Sequence, residues 1–308
     1  MCWVTYKRLR STLQLLAAPG ASEQQRQLPG RRLAEVAYGG KEPRFAAAEP
    51  PWKAVNARLD ASQRRAVSLA LRAHDVALIH GPPGTGKTTA VVEVILQEVA
   101  RGSRVIASAA SNIAVDNLVE RLVAAAPKLK LLRLGHPARL LPQVLDSSLE
   151  AQVLKSDNSS LAKDCRKEIK ALNTQLVKLE GWKRAERRQI RGELKQLYKE
   201  ERTRQDKAVK EVIGGAQVIC CTLSGALHPQ LYGQVFDVAV IDEAAQALEA
   251  ACWSALLLAG RAVLAGDHLQ LPPTVLSDEA AKGGLGVTLF ERLQHAHGAG
   301  ASEMLTVQ

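Results

Sequence analysis

The sequence has few cysteines, and none of them stands in a metal-binding arrangement. There are five in 308 residues, with no C-x-x-C pair and no histidine at ligand spacing. This distribution argues against a zinc site and against a disulfide framework, and it is typical of a chain in a reducing, intracellular compartment. The five are Cys2, Cys165, Cys220, Cys221 and Cys252.

Long apolar runs and aromatic residues are also scarce. No stretch approaches the roughly 18 apolar residues of a membrane-spanning helix, and the first residues lack the basic-then-apolar layout of a secretion signal. We therefore expect a soluble chain with no membrane partner. With four Trp and three Phe, no series of interleaved aromatics is visible on which bases could stack.

Positive charge is abundant and concentrated in one region. The formal net charge is +10, which favours a polyanionic partner because Lys and Arg gain affinity by displacing counterions from phosphates. Sixteen Lys/Arg stand against eight Asp/Glu in residues 163–210. Either these basic residues flank a nucleic-acid path, or they form a solvated helical face that keeps the chain soluble. The residues of the first hypothesis are Lys183, Arg184, Arg187, Arg188 and Arg191.

From residue 59 onward, short apolar runs alternate with helical segments. The runs are continuous rather than alternating, as expected for strands buried on both faces. A parallel sheet flanked by helices is therefore predicted. The predicted strands are Val76–His80, 104–108, Val218–Thr222, Phe236–Ile241 and 262–265.

Residues 147–212 contain no strand-like run and predict a basic helical insertion. Apolar residues recur there at spacings of three and four, which favours two antiparallel helices with a turn near Gly181. The insertion divides the α/β lobe into residues 59–146 and 213–308. Ahead of the lobe, residues 4–16 predict a short amphipathic helix. Residues 17–58, rich in Ala, Gly, Pro and Gln, are interpreted as a connector.

A Gly-rich segment directly after the first predicted strand matches the phosphate-binding loop G-x-x-x-x-G-K-S/T. Its glycines allow backbone N–H groups to face phosphates, and the following helix adds its positive end. Lys87 is expected to reach the β and γ phosphates of ATP, and Thr88 to bind Mg²⁺. The nucleotide-binding residues predicted here are Gly81, Pro82, Pro83, Gly84, Thr85, Gly86, Lys87, Thr88 and Thr89.

Three further polar residues follow predicted strands at the same edge of the sheet. Asp242 and Glu243 come directly after Phe236–Ile241, and we expect Asp242 to bind Mg²⁺ and Glu243 to act as general base toward the attacking water. Gln270 follows the strand 262–265, and its amide is expected near the γ-phosphate, where it would distinguish ATP from ADP. An ordinary turn is the alternative for Gln270. With Lys87, these residues form the predicted catalytic set.

Ser111 and Asn112 follow the predicted strand 104–108. Short polar side chains and backbone N–H groups in this position suit contact with a nucleic-acid phosphate, which positions a strand without reading its sequence. The alternative is that one of the two caps the helix that begins near Ala114. Both roles can hold together.

Taken together, these segments resemble the Upf-like group of superfamily 1 helicases, over residues 4–308. Residues 59–63 (L-D-A-S-Q) resemble the group's Q motif, and residues 111–118 (S-N-I-A-V-D-N-L) resemble the motif that meets the nucleic-acid backbone. Residues 242–247 (D-E-A-A-Q-A) and 266–273 (G-D-H-L-Q-L-P-P) match the second and third motifs. Their order and spacing also agree.

The resemblance implies the first RecA-like P-loop NTPase lobe of an ATP-driven motor that moves 5′ to 3′ on single-stranded RNA or DNA. It implies that Gln63 reads adenine and that Thr222 contacts the nucleic-acid backbone, although a threonine at a strand end is often only structural. It further implies association with ribonucleoprotein or ribosomal assemblies, a monomer, and a location in cytoplasm and nucleus.

The sequence departs from the family pattern at two motif positions and at its ends. Ala110 and Leu269 stand where the family usually has Pro and Lys. The resemblance makes residues 1–16 a remnant of the helical stalk. It also places the family's Tyr-Arg-Met motif and second lobe, with the arginines that complete the ATP site, beyond Gln308. Two alternatives to a helicase are a catalytically weak module that binds nucleotide and nucleic acid, and a P-loop ATPase that works on protein partners.

Overall fold

Seven parallel strands form one sheet with helices on both faces, in a computed structural model that describes residues 3–17, 28–180 and 182–308. The sheet order is β3-β4-β2-β5-β6-β1-β7. The strands are β1 Val76–His80, β2 Val105–Ala109, β3 Leu131–Leu134, β4 Val218–Thr222, β5 Phe236–Ile241, β6 Ala259–Gly266 and β7 Ser302–Met304. The predicted α/β fold with a parallel sheet is confirmed.

Eleven α-helices are defined in the described part of the chain. They are α1 Trp3–Ala17, α2 Arg31–Tyr38, α3 Ala61–Arg72, α4 Lys87–Ala100, α5 Asn112–Ala125, α6 Leu149–Leu154, α7 Asp157–Lys178, α8 Arg184–Gly215, α9 Glu249–Leu256, α10 Asp278–Lys282 and α11 Leu289–Ala301. No helix within the described ranges is both long and apolar enough to span a membrane.

Side chains of the central strands alternate between two apolar layers. In β1, Leu78 faces a cluster that includes Trp253 of α9 and Phe290 of α11, whereas Ile79 faces a cluster that includes Val94 of α4. Each fully buried aliphatic side chain stabilises the fold by about 1.5–3 kcal/mol. Burial on both faces is why these strands are continuously apolar in sequence.

Two strands escape sequence-based prediction, and two others have different bounds. The short strand β3 contains Arg133 between leucines, and the three-residue β7 has no continuous apolar run. Both are edge strands, so pairing with β4 and with β1 defines them more than their own composition does. The strand predicted at 104–108 lies one residue later, and β6 extends beyond the predicted 262–265 in both directions.

The predicted helical insertion forms the hairpin α7–α8, preceded by the short helix α6. The pairs Asn158–Glu211, Arg166–Glu201 and Asn173–Tyr198 show that the two long helices run antiparallel. Ile169, Ile190 and Leu194 form a small apolar cluster of their own between them. The predicted turn at Gly181 lies outside the described residues, between the end of α7 at Lys178 and the start of α8 at Arg184.

The segment ahead of the lobe, predicted to be partly a connector, contains two helices in its described part. The helix predicted at 4–16 is α1, which packs against α9, and residues 31–38 form α2 on the apolar layer beside the sheet. The buried carboxylate of Asp75 accepts hydrogen bonds from the side chains of Arg32 and Arg44 and from the Arg44 backbone. These contacts join the preceding segment to the start of β1.

Candidate nucleotide and nucleic-acid site

The phosphate-binding loop leaves β1 and ends at the start of α4. Gly84 and Gly86 adopt left-handed backbone angles, with φ of 80° and 74°. At Gly86 an added Cβ would also lie 2.5 Å from Gln63 Nε2, so both conformation and space require glycine. Lys87 Nζ donates to the carbonyl oxygen of Gly81 at 2.8 Å and is 8% exposed, which places its ammonium group inside the loop.

The loop and the acidic pair meet directly through Thr88 and Asp242. Thr88 Oγ1 donates to Asp242 Oδ2 at 3.1 Å. Asp242 is 2% exposed, and this burial, with the charge of Glu243 as the second cause, raises the pKa of Asp242 to about 6. Hydrogen bonds from Thr88 and from the Glu243 backbone oppose that shift. A hydroxyl and a carboxylate held this way offer the oxygen ligands that Mg²⁺ prefers.

Glu243 occupies an unusual backbone conformation at the end of β5. Its φ of 54° is the only positive value of a non-glycine residue in the part of the chain that the structure describes. Such a conformation costs on the order of 1 kcal/mol or more for a residue of this kind, and it is typical of functional sites. The turn directs Glu243 away from the strand, where its Oε2 accepts from Gln246 Nε2 at 3.4 Å.

Gln63 is brought to the loop, as the predicted nucleotide site requires. Its Nε2 donates to the carbonyl oxygen of Thr85 at 3.0 Å, and its Oε1 accepts from the Asp60 backbone at 3.2 Å. Asp60 in turn caps α3 by accepting from the backbone of Gln63, so the pair forms a capping box. The role of Gln63 toward adenine remains a prediction.

Gln270 lies in a polar network at the end of β6, next to the phosphate loop. Its Nε2 donates to Asp267 Oδ2 at 2.7 Å, while Asp267 Oδ1 contacts His80 Nε2 at 3.2 Å and accepts from the Leu269 backbone. Burial alone would raise the pKa of Asp267, but these hydrogen bonds outweigh it and lower the pKa. The Leu269 side chain, which stands where the family usually has Lys, is 77% exposed.

The residues predicted to meet nucleic acid lie at adjacent strand ends. Ala109 of β2 pairs with Thr222 of β4, so Thr222 and the start of α5 share the carboxyl edge of the sheet. Ser111 Oγ accepts from the Ala114 backbone, which confirms its capping role. Asn112 Oδ1 accepts from Arg133, and Thr222 Oγ1 accepts from the Gly225 backbone. Contact of these three residues with nucleic acid stays a prediction.

The basic residues singled out in the insertion do not all serve one purpose. Arg187 donates to the carbonyl oxygens of Leu176 and Leu179 and so satisfies the end of α7. Lys183 lies over the ring of Trp182. Arg184, Arg188 and Arg191 are exposed.

Buried polar side chains that lie beneath the predicted site residues were not among the sequence predictions. Arg133 and Asp116 pair beneath Asn112, and His80 contacts Asp267 beneath Gln270. One signal was available, because a charged residue inside the apolar run of β3 implies a buried partner. Its partner lies on another element, and no sequence spacing identifies it.

Comparison with known proteins agrees with this geometry. A family model described as an AAA domain matches residues 58–278. The chain is 46% identical over 312 residues to the DNA-binding protein SMUBP-2 of Mesocricetus auratus, covering 99% of this chain and 30% of that protein. It is 37% identical over 316 residues to the DNA polymerase alpha-associated DNA helicase A of Schizosaccharomyces pombe, covering 99% of this chain and 44% of that protein.

A third relative is the regulator of nonsense transcripts 1 homolog of Neurospora crassa, 36% identical over 240 residues, which cover 76% of this chain and 20% of that protein. The chain thus spans less than half the length of each of these relatives. The AAA domain model covers more than half of the chain and includes the phosphate loop, the acidic pair and Gln270. The chain therefore belongs to this AAA domain family, as a RecA-like lobe of the Upf-like superfamily 1 helicase type.

Proposed function

We propose that this chain binds Mg-ATP and hydrolyses it as the first motor lobe of a helicase that moves 5′ to 3′ on single-stranded RNA or DNA. The observation that supports this most is the contact between Thr88 and Asp242 at 3.1 Å. It joins the phosphate loop to the acidic pair, and a phosphoryl-transfer site needs both in one place.

The residues present fit a Mg²⁺ ion bound with the nucleotide. Thr88 and Asp242 would hold it, and the ion would neutralise charge on the phosphate oxygens. Lys87 would exchange its bond with the Gly81 carbonyl for the β and γ phosphates, since its ammonium already lies inside the loop. The backbone N–H groups from Gly84 to Thr88 would face the remaining phosphate oxygens.

Hydrolysis requires a group that orients water for in-line attack on the γ-phosphate. We assign this role to Glu243, supported by its position directly after Asp242 and by its left-handed backbone conformation, which is typical of functional sites. Gln270 would contact the γ-phosphate through its amide, held by Asp267. Closure against a second lobe would supply the arginines that complete the site.

Nucleic acid would bind at the same edge of the sheet, on Ser111, Asn112 and Thr222. The names of the relatives support such a partner, since one is called DNA-binding and another a DNA helicase. The net charge of +10 supports it as well. A monomer that acts in ribonucleoprotein or ribosomal assemblies, in the cytoplasm and nucleus, completes the proposal.

The test is ATP turnover with and without single-stranded RNA or DNA, in the wild type and in Glu243→Gln. Removing the base should lower turnover by at least about a hundredfold while ATP binding is kept. Asp237→Asn is the matched control, because Asp237 is an exposed carboxylate near the start of β5, the strand that Asp242 and Glu243 follow. Unchanged turnover in Glu243→Gln would reject the assignment. Failure of RNA and DNA to stimulate turnover would favour an ATPase that works on protein partners.

A further inference from the structure

Arg133 and Asp116 form a completely buried ion pair beneath the predicted nucleic-acid edge. Arg133 Nε donates to Asp116 Oδ1 at 2.7 Å, and the two side chains are 0% and 1% exposed. Arg133 lies in β3 and Asp116 in the second turn of α5. Asp116 Oδ2 also accepts from the Leu141 backbone at 2.9 Å. The pair therefore joins β3, α5 and the loop that follows β3.

Stability alone is a weak reason for such a pair. Removing both charges from water costs several kcal/mol, and well-packed apolar residues in the same place often stabilise a fold as much or more. The surrounding core is apolar and could have accepted them, since Leu118 of α5 and Leu131 of β3 are buried together in one apolar layer. The other contacts of Arg133 suggest a second role.

Arg133 has two further contacts: its Nη1 donates to the Leu134 carbonyl oxygen, and its Nη2 faces Asn112, the first residue of α5. Arg133 Nη2 lies 3.0 Å from Asn112 Oδ1. A guanidinium group has five N–H donors and no acceptor, so the Asn112 atom facing it must be the oxygen. The amide orientation is thus determined by chemistry, with Nδ2 on the side away from Arg133.

We propose that the buried Arg133–Asp116 pair is a positioning device that makes Asn112 present an N–H donor to a phosphate oxygen of single-stranded nucleic acid. This inference rests on the proposed function, because it deepens the role of one predicted contact. Asp116 fixes the Arg133 guanidinium, and the guanidinium binds Asn112 Oδ1. Asn112 Nδ2 is then available to donate to the ligand. Arg133 itself is too deeply buried to touch a nucleic acid.

The arrangement also selects the kind of group that Asn112 recognises. Reading the edge of an adenine with an asparagine amide uses its oxygen and its nitrogen together. Because Arg133 already binds Oδ1, such a two-point contact is disfavoured, whereas a single donor fits a phosphate oxygen. The neighbouring Ser111 hydroxyl accepts from the Ala114 backbone and retains its own O–H donor, so it can contact the same nucleic-acid backbone beside Asn112.

The test measures binding of a labelled single-stranded oligonucleotide by fluorescence anisotropy, over a series of salt concentrations. Asn112→Asp retains the oxygen for Arg133 but removes the N–H donor, and Asn112→Ala removes both. The double variant Asp116→Asn/Arg133→Met removes the positioning pair without leaving an isolated buried charge. Glu98→Gln/Arg261→Met is the matched control, since it removes an ion pair with a buried carboxylate elsewhere on the sheet and likewise leaves no isolated buried charge.

Asn112→Ala should weaken binding by about fivefold, the size expected for one hydrogen bond, and Asn112→Asp should weaken it more, because its carboxylate also repels the phosphate. The double variant should weaken it about as much as Asn112→Ala does, and it should add nothing when combined with Asn112→Ala. In Asn112→Ala and in the double variant, the slope of log affinity against log salt should not change, because the net charge at the interface is kept. Affinity for an ATP analogue should also be kept, which a general loss of structure would not allow.

Unchanged binding in the double variant would overturn the inference alone. An equal further loss when the double variant is combined with Asn112→Ala would also overturn it. Unchanged binding in Asn112→Asp would do the same. If the wild-type chain binds no single strand even at low salt, the proposed function fails, and the inference fails with it. The wild-type measurement therefore separates the two failures.

Discussion

Gln63 donates from Nε2 to the carbonyl oxygen of Thr85 across 3.0 Å, so the residue expected to read adenine also supports the phosphate loop. The contact is buried, and Gln63 Oε1 accepts from the Asp60 backbone at the start of α3. The side chain therefore links the first turn of one helix to the loop that precedes another. Because Gln63 supports the phosphate loop in addition to its predicted contact with the base, part of its contribution to nucleotide binding should be the same for every base.

Replacing Gln63 by Ala should lower affinity for GTP as well as for ATP. Without the hydrogen bond to the Thr85 carbonyl, the phosphate loop is held less firmly for either nucleotide. Losing about one hydrogen bond should lower both affinities roughly fivefold. Any contact with adenine adds a further loss for ATP alone. Titration of fluorescent ATP and GTP analogues measures both effects.

Gln97→Ala is the control for this substitution, since Gln97 bonds the Lys53 carbonyl away from the phosphate loop. It should leave both nucleotide affinities unchanged. A loss confined to ATP in Gln63→Ala would contradict the supporting role and restrict Gln63 to reading the base.

Contiguous parts of the site were predictable from sequence, and parts assembled across elements were not. The phosphate loop and the Asp242–Glu243 pair are local patterns that follow apolar strands, and the parallel sheet brings their ends together. The buried contact between Arg133 and Asp116 joins residues of two elements, so no local spacing reveals it. Tertiary pairing likewise creates β7, whose three residues would not form a strand alone.

Asp242→Asn should stabilise the nucleotide-free protein near neutral pH, although it removes a predicted Mg²⁺ ligand. Burial, followed by the charge of Glu243, raises the folded-state pKa of Asp242 to about 6. Between the unfolded pKa and about 6 the folded state binds more protons, so this residue makes stability fall as pH rises through that range. Above it the full cost applies, on the order of 3 kcal/mol.

Urea unfolding of both proteins without metal or nucleotide checks this prediction. The variant should be the more stable near pH 7, and the difference should shrink toward pH 4, where Asp242 is protonated in the folded state and partly protonated in the unfolded state. Binding of Mg-ATP should be weakened in the same variant. A difference that is unchanged over this pH range would contradict the charge-based explanation.

Asp75 should respond in the opposite direction. Burial would raise its pKa, but hydrogen bonds from Arg44 and Arg32 outweigh burial and lower the pKa below its usual range. Its contribution to stability is therefore present at neutral pH and is lost as pH falls through the folded-state pKa. Asp75→Ala removes a buried carboxylate that accepts several hydrogen bonds, but the two arginines left behind are partly exposed to water, so it should destabilise by about 2 kcal/mol near pH 7.

Thermal or urea unfolding measures the effect of Asp75→Ala. Glu35→Ala is the matched comparison, because its ion pairs with Lys41, Arg31 and Arg32 lie at the surface and should contribute much less to stability. Equal destabilisation by the two substitutions would show that the contacts of Asp75 do not anchor the segment before the lobe.

Asp267→Asn should slow ATP hydrolysis without weakening ATP binding. The carboxylate holds the Gln270 amide at 2.7 Å and contacts His80 at 3.2 Å, and the substitution replaces one acceptor oxygen with a donor. Gln270 would then lose its fixed orientation toward the γ-phosphate, so kcat should fall by about tenfold, with KM little changed.

The double variant Asp267→Asn/Gln270→Ala separates positioning from a second, independent role. If Asp267 acts only by holding Gln270, the double variant should turn over no more slowly than Gln270→Ala alone. Multiplicative losses would contradict that dependence and give Asp267 a contact of its own with the reacting groups. His80→Gln extends the test, because a glutamine amide can still donate to Asp267, and it should retain most of the wild-type kcat.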